Sequence, residues 1–154
     1  MRILKKIGIT VGVLFAVIQF IQPAHNHSGQ VLATDFARIY SAPQKVQSIL
    51  WNACYDCHSD VTNYPWYSYV QPVGWMTAKH IKDGKEKLNF SEFGGYSPRR
   101  QISKLKGAAN SIKDGIMPIA SYKMMHRKAL STQEDKILII GWLQRTADSL
   151  STIY

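Results

Sequence analysis

Five residues, Cys54-Tyr55-Asp56-Cys57-His58, set two thiols three positions apart with an imidazole directly behind them. A chain with this spacing is expected to fold around an iron porphyrin. The thiols add across its vinyl groups, and the adjacent histidine then ligates the iron. The chain has only these two cysteines in 154 residues, so neither is reserved for a structural disulfide. Zinc competes poorly, because its sites take about four ligands, usually from two such pairs, and the second pair is missing. His80 and His126 stand at no spacing that would complete a zinc site with His58. A thioredoxin-type redox pair belongs in a βαβ pattern, which the chain lacks. The expectation is one covalently attached haem c, linked through Cys54 and Cys57, with His58 as proximal iron ligand.

Attachment of this kind takes place outside the bacterial cytoplasm, so an export signal is expected, and the N-terminus reads as one. Arg2, Lys5 and Lys6 precede Ile7 to Ile21, a run whose only polar side chains are Thr10 and Gln19. It is longer than a minimal signal core and shorter than the ~20 residues of a comfortable spanning helix. No small-x-small cleavage site follows directly, which favours an uncleaved membrane anchor over a cleaved signal peptide in residues 1–22. Positive charge before the run places everything after it outside, in the periplasm and anchored to the inner membrane. Residues 23–40 read as a linker and 41–148 as one small haem domain. Three of the +9 net charge belong to the basic N-terminus, leaving +6 on the remainder. That bias suits acidic redox partners or anionic headgroups as well as it suits a solvated surface. Basic residues are dispersed, without aromatic interleaving, so no nucleic-acid partner is expected.

The domain reads as all-α, with about four helices and long ordered loops. The first runs from Pro43 to Cys54 and delivers the chain into the cysteine motif, with Ser41 as cap and Val46, Leu50 and Ala53 at helical spacing. A second covers Val73 to Lys87. A third has Ser97 as cap and Pro98 at its first position, then Ile102, Leu105, Ala109 and Ile112, and stops near Gly115. The last opens on Ser131-Thr132-Gln133-Glu134, a capping box, and carries Ile137, Leu138, Ile140, Trp142 and Leu143. Leu88 to Tyr96 and Asn63 to Tyr69 read as loops.

The sixth iron ligand decides what such a protein does, and the candidates are Met76, His80, Met117, Met124, Met125 and His126. Met117 leads, because Pro118 biases it away from helical geometry and it follows a turn at Asp114-Gly115. Its alternative role is a flexible core filler. Met124 and Met125 read as packing residues at a helix end, and His126, before Arg127 and Lys128, as exposed.

Cys54 to His58, Met117-Pro118, Leu130-Ser131 with Glu134, and Trp142 together resemble a class I cytochrome c. More narrowly, Ala53 to Ser59, Tyr64-Pro-Trp-Tyr-Ser68, Leu88-Asn-Phe-Ser91 and Tyr96-Ser-Pro98 are similar to a family of small bacterial haem-binding domains. The similarity covers about Pro43 to Arg145. It implies a cytochrome-c-like fold and no well-defined substrate. It also implies Pro72 as the residue whose carbonyl receives the proximal imidazole N–H, although Tyr64 to Ser103 departs from a minimal class I pattern. Tyr64, Trp66, Tyr67 and Trp75 read as either haem-packing or plain core aromatics. Arg99 and Arg100 are candidates for the propionates, with a solvated helix start as the simpler reading.

The favoured function is electron transfer by a membrane-tethered monohaem cytochrome working with redox partner proteins, and not an enzyme. The alternatives are a five-coordinate haem handling peroxide or a small gas, with His80, His126 or Arg99 as distal group, and an accessory haem subunit of a larger oxidoreductase.

Overall fold

A computed structural model describes residues 1–26, 30–129 and 132–153. The chain is all-helical at 68% helix, with no strand among the described residues. Among the described residues eight α-helices follow in order: α1 Arg2–Ile18, α2 Phe36–Ile39, α3 Gln44–Ala53, α4 Tyr55–His58, α5 Val73–Lys87, α6 Pro98–Lys113, α7 Ala120–Met125 and α8 Gln133–Ile153. Two 3₁₀ turns, Trp66–Tyr69 and Phe93–Gly95, lie in the stretches expected as loops.

The four long helices of the domain form where apolar spacing places them, but Ser41, expected to cap α3, does not: Pro43 precedes the helix and Ser41 takes a φ of 44° outside it. α3 starts after Pro43, buries Val46, Ile49 and Leu50, and hands directly to Cys54. α6 has Ser97 before it and Pro98 in its first turn, though the serine side chain makes no capping bond. It buries Leu105, Ala109 and Ile112, and ends where Gly115 takes a φ of 73°, a left-handed conformation that glycine adopts without strain. α8 buries Ile139, Trp142, Leu143 and Ala147 against α6 and continues to Ile153, past the boundary expected at 148. Its expected capping serine, Ser131, lies outside the described residues together with Leu130. Thr132 Oγ1 accepts from the Asp135 amide at 3.1 Å and serves the same end.

The end of the stretch expected as linker reaches the centre of the core through Phe36. α2 is a single turn whose N-terminal amide at Ala37 donates to Asp35 Oδ1 at 2.9 Å. Phe36 is fully buried and packs against Phe90, Phe93 and Trp142, with ring centroids 5.1, 4.8 and 5.3 Å away. Tyr55, also fully buried, stacks on Phe90 at 5.2 Å and donates to Asp35 at 2.9 Å. One aromatic cluster thus ties the entry segment to the turn that carries the cysteines.

The N-terminal anchor needs correction. α1 has 17 residues, about 25 Å at the usual helical rise, against a hydrocarbon core of about 30 Å. No helix among the described residues is long and apolar enough to cross a membrane. The apolar run continues to Ile21, but the helix does not, because side-chain bonds take over at its end. Gln19 Nε2 donates to the Phe15 and Gln71 carbonyls at 3.0 and 3.2 Å, and Gln22 Nε2 donates to the Tyr69 carbonyl at 3.1 Å.

Candidate cofactor site

The cysteine motif sits on α4, one helical turn that begins where α3 ends. The Cys54 amide closes α3 on the Leu50 carbonyl at 2.9 Å, and the His58 amide returns to the Cys54 carbonyl at 3.0 Å. His58 Nδ1 lies 3.0 Å from both the Gly84 and the Leu88 carbonyl oxygens. Both partners accept only, so Nδ1 carries the proton and donates, which leaves Nε2 as the ring nitrogen that binds a metal. Burial holds this imidazole below its ordinary range, in the neutral form that a metal requires.

The segment Leu88–Ser91 clasps the motif. Leu88 supplies a carbonyl to the imidazole, and the Phe90 amide donates to the His58 carbonyl at 2.7 Å. Ser91 Oγ accepts from the Asp60 amide at 3.0 Å, and Asn89 Oδ1 accepts from the Ser91 amide at 3.1 Å. Lys85 and Asp60 close the same corner with a 2.9 Å ion pair. From the other side, α5 comes so near that a Cβ on Gly84 would stand 2.5 Å from the Cys57 carbonyl oxygen. Only glycine fits there.

Two cavities flank this turn. One, of about 310 Å³, is lined by Cys54, Leu88, Phe90, Lys104 and Ile112; the other, of about 180 Å³, by Cys57, His80, Gly84 and Tyr122. Ala53, His58, Lys87, Met117 and Pro118 line both, so the two adjoin across a common wall and make one divided, apolar-lined site with a thiol in each half. Both cysteines are free thiols. Burial, with the neighbouring carboxylate of Asp56 adding to it, pushes Cys54 up to about 12 and Cys57 up to about 11. Thiols held protonated in this way resist closing into a disulfide.

Met117 leaves α6 in the loop before α7, packs against the core, and is held by its amide bond to the Ser111 carbonyl at 3.0 Å. It shares the divided cavity with His58. Met76, Met124, Met125 and His126 do not; they line an adjoining space of about 360 Å³ that shares Cys57, His80, Ile119 and Tyr122 with the smaller cavity and lacks His58. His126 is occupied there, with Nε2 2.6 Å from Tyr67 Oη and its ring stacked on Tyr122 at 4.0 Å. His80 is exposed and lines both that space and the Cys57 half of the divided cavity.

Pro72 does not hold the imidazole: its carbonyl accepts from the Met76 amide at 3.3 Å, and Gly84 and Leu88 take its expected role. Tyr64, Trp66 and Trp75 are not among the residues of the divided cavity. Tyr64 donates to Asn26 Oδ1 at 2.5 Å, Trp75 Nε1 donates to the Ile21 carbonyl at 2.8 Å, and Trp66 is 74% exposed. Arg99 and Arg100 also lie elsewhere; Arg100 sits 4.1 Å over the Tyr96 ring. The cations at the cavity are Lys87 and Lys104, the latter donating to the Lys87 carbonyl. The clasp was visible in sequence only as the motif Leu88-Asn-Phe-Ser91, and its partner Gly84 only as a glycine inside a helix.

A pair of free thiols one on each side of a shared cavity, with a neutral imidazole and a thioether on the same walls, is a donor set that fits haem iron and its vinyl groups. No curated protein and no solved structure matches this chain. The family model for the haem-binding domain matches residues 13–145, most of the chain, and the protein belongs to that haem-binding family.

Proposed function

We propose that this is a c-type cytochrome in which Cys54 and Cys57 would hold the haem through thioethers and His58 and Met117 would ligate its iron, and that it transfers electrons in the periplasm. The observation that carries the reading is the shared cavity, which has His58 and Met117 on its common wall and one thiol in each half. One-electron exchange between ferric and ferrous iron is the chemistry that bound haem supplies there. The chain's own part is to hold and exclude. Gly84 and Leu88 orient the imidazole through its Nδ1 proton and raise the basicity of Nε2. Phe90, Leu88, Ala108 and Ile112 give one half an apolar lining, which favours the less charged ferrous state. Lys87 and Lys104 stand ready for carboxylates at the rim.

The test is covalency. Protein matured with the haem-attachment machinery, denatured and extracted with acid acetone, is expected to keep its colour, and the Cys54→Ala/Cys57→Ala double variant to lose it. Extraction of all haem from the natural chain would overturn the reading. Rapid binding of carbon monoxide or peroxide by the natural protein would replace electron transfer with an open-site reaction.

A further inference from the structure

Past its opening residues, which include Arg2, Lys5 and Lys6, the helix α1 is apolar on every side but for Thr10. Ile3, Leu4, Ile7, Ile9, Val13 and Phe15 face outward at successive angles, and none of its residues is buried. A helix docking on another protein buries one stripe, whereas one that is apolar all round suits lipid. Where α1 ends, the chain does not swing free. Gln71, fully buried, donates its amide to Gln19 Oε1 at 2.8 Å and its Nε2 to Gln22 Oε1 at 3.0 Å, while Gln19 and Gln22 return bonds to the Gln71 and Tyr69 carbonyls. Trp75 adds its indole bond to Ile21. Asn26 continues the strap, its Nδ2 donating to the Ser59 carbonyl at 2.9 Å.

Beside this latch the domain exposes an apolar and aromatic face. Trp66, Tyr69, Val73, Trp75 and Met76 are all exposed, and Trp66, Val73 and Met76 border one cavity. Tryptophan and tyrosine at the end of an apolar helix are the residues that settle at the headgroup level of a bilayer. Arg2, Lys5 and Lys6 and the net charge of +9 favour anionic lipid.

We propose that α1 and the Trp66–Met76 face form one continuous bilayer-contacting surface, locked by Gln19, Gln22 and Gln71, so that the haem domain lies on anionic lipid in a fixed orientation. The occupant is the bilayer itself, since a protein partner would leave most of α1's circumference in water. This inference is independent of how the haem is bound.

The full, haem-loaded chain, reconstituted in phosphatidylcholine vesicles containing phosphatidylglycerol and a lipid with a photoactivated carbene at its acyl chain, is expected to carry adducts on both α1 and residues 66–76, and none on α6. Gln19→Ala/Gln22→Ala, a half-buried and an exposed position that both lie outside the hydrophobic core, is expected to keep the α1 adducts and lose those on 66–76 several-fold. Adducts confined to α1, or none at all, would overturn the surface. Undiminished labelling of 66–76 in the double variant would overturn the lock.

Discussion

At the scale of single residues, the site depends on two side chains that meet across a cavity after being separated by 59 positions. His58 is positioned by atoms no side-chain motif announces, the carbonyls of Gly84 and Leu88. Met117 is positioned by chain direction, leaving α6 at a glycine turn and tied back to Ser111. On the proposed ligation, Met117→Ala is expected to lose the weak red absorption band that sulfur gives to ferric haem, to bind carbon monoxide readily once reduced, and to shift to lower potential. His80→Ala is the control, because His80 is the other candidate ligand that reaches part of the same space. Absence of the band from the natural protein, with ready carbon monoxide binding gained in reduced His80→Ala and not in Met117→Ala, would exchange their roles.

At the scale of elements, the close crossing of α5 over the cysteine turn is the strongest constraint. Alanine in place of a helix-interior glycine ordinarily stabilises by roughly 0.5–1 kcal/mol. Gly84→Ala is expected to reverse that sign and cost about 1–3 kcal/mol, because its Cβ would meet the backbone of Cys57 and push both carbonyl partners away from His58. Gly141→Ala in α8 meets only the movable end of Arg145 at 3.1 Å and is expected to show the ordinary gain. Denaturant midpoints of the two variants check the pair.

Helices α3, α5, α6 and α8 were legible because each has enough turns for its apolar stripe to repeat, with Pro43, Pro98 and Gly115 as punctuation. α2 and α4 were not, since one turn has no period to detect. Phe36, in a one-turn helix with no apolar period around it, gives no sign that it is the centre of the core. The proximal and distal candidates were legible from residue type and neighbours. Their supports were not, because backbone carbonyls are the same at every position. Pro72 rested on the resemblance to the class I pattern alone, and Tyr64 to Ser103, where it lies, departs from that pattern; its carbonyl serves Met76 instead.

At the scale of the whole molecule, two phenols, Tyr55 fully buried and Tyr122 half-buried, set the alkaline limit of stability. Burial, reinforced by Asp35, raises Tyr55, and burial with its bond to Asp56 raises Tyr122, each well above the ordinary tyrosine range. Their contribution is complete below the unfolded value near 10. As pH rises past it the unfolded chain releases these protons and the folded one keeps them, so stability falls. Chemical denaturation of the haem-loaded chain, in which the thiols no longer titrate, is expected to show a midpoint that declines from about pH 9 to about pH 11. Tyr55→Phe is expected to start about 1–3 kcal/mol less stable at neutral pH, because Asp35 loses a buried donor, and then to decline less steeply. A flat profile in the natural chain would contradict the burial of both groups.

The strap from Gln19 to Asn26 bears on how such a protein finds its partners. A redox centre on a long slack leash patrols a radius and can visit donor and acceptor in turn. Here the leash is stitched to the body within a few residues of the helix end. On the electron-carrier reading, traffic must therefore come to a stationary post, by lateral diffusion of the whole protein or arrival of a mobile shuttle.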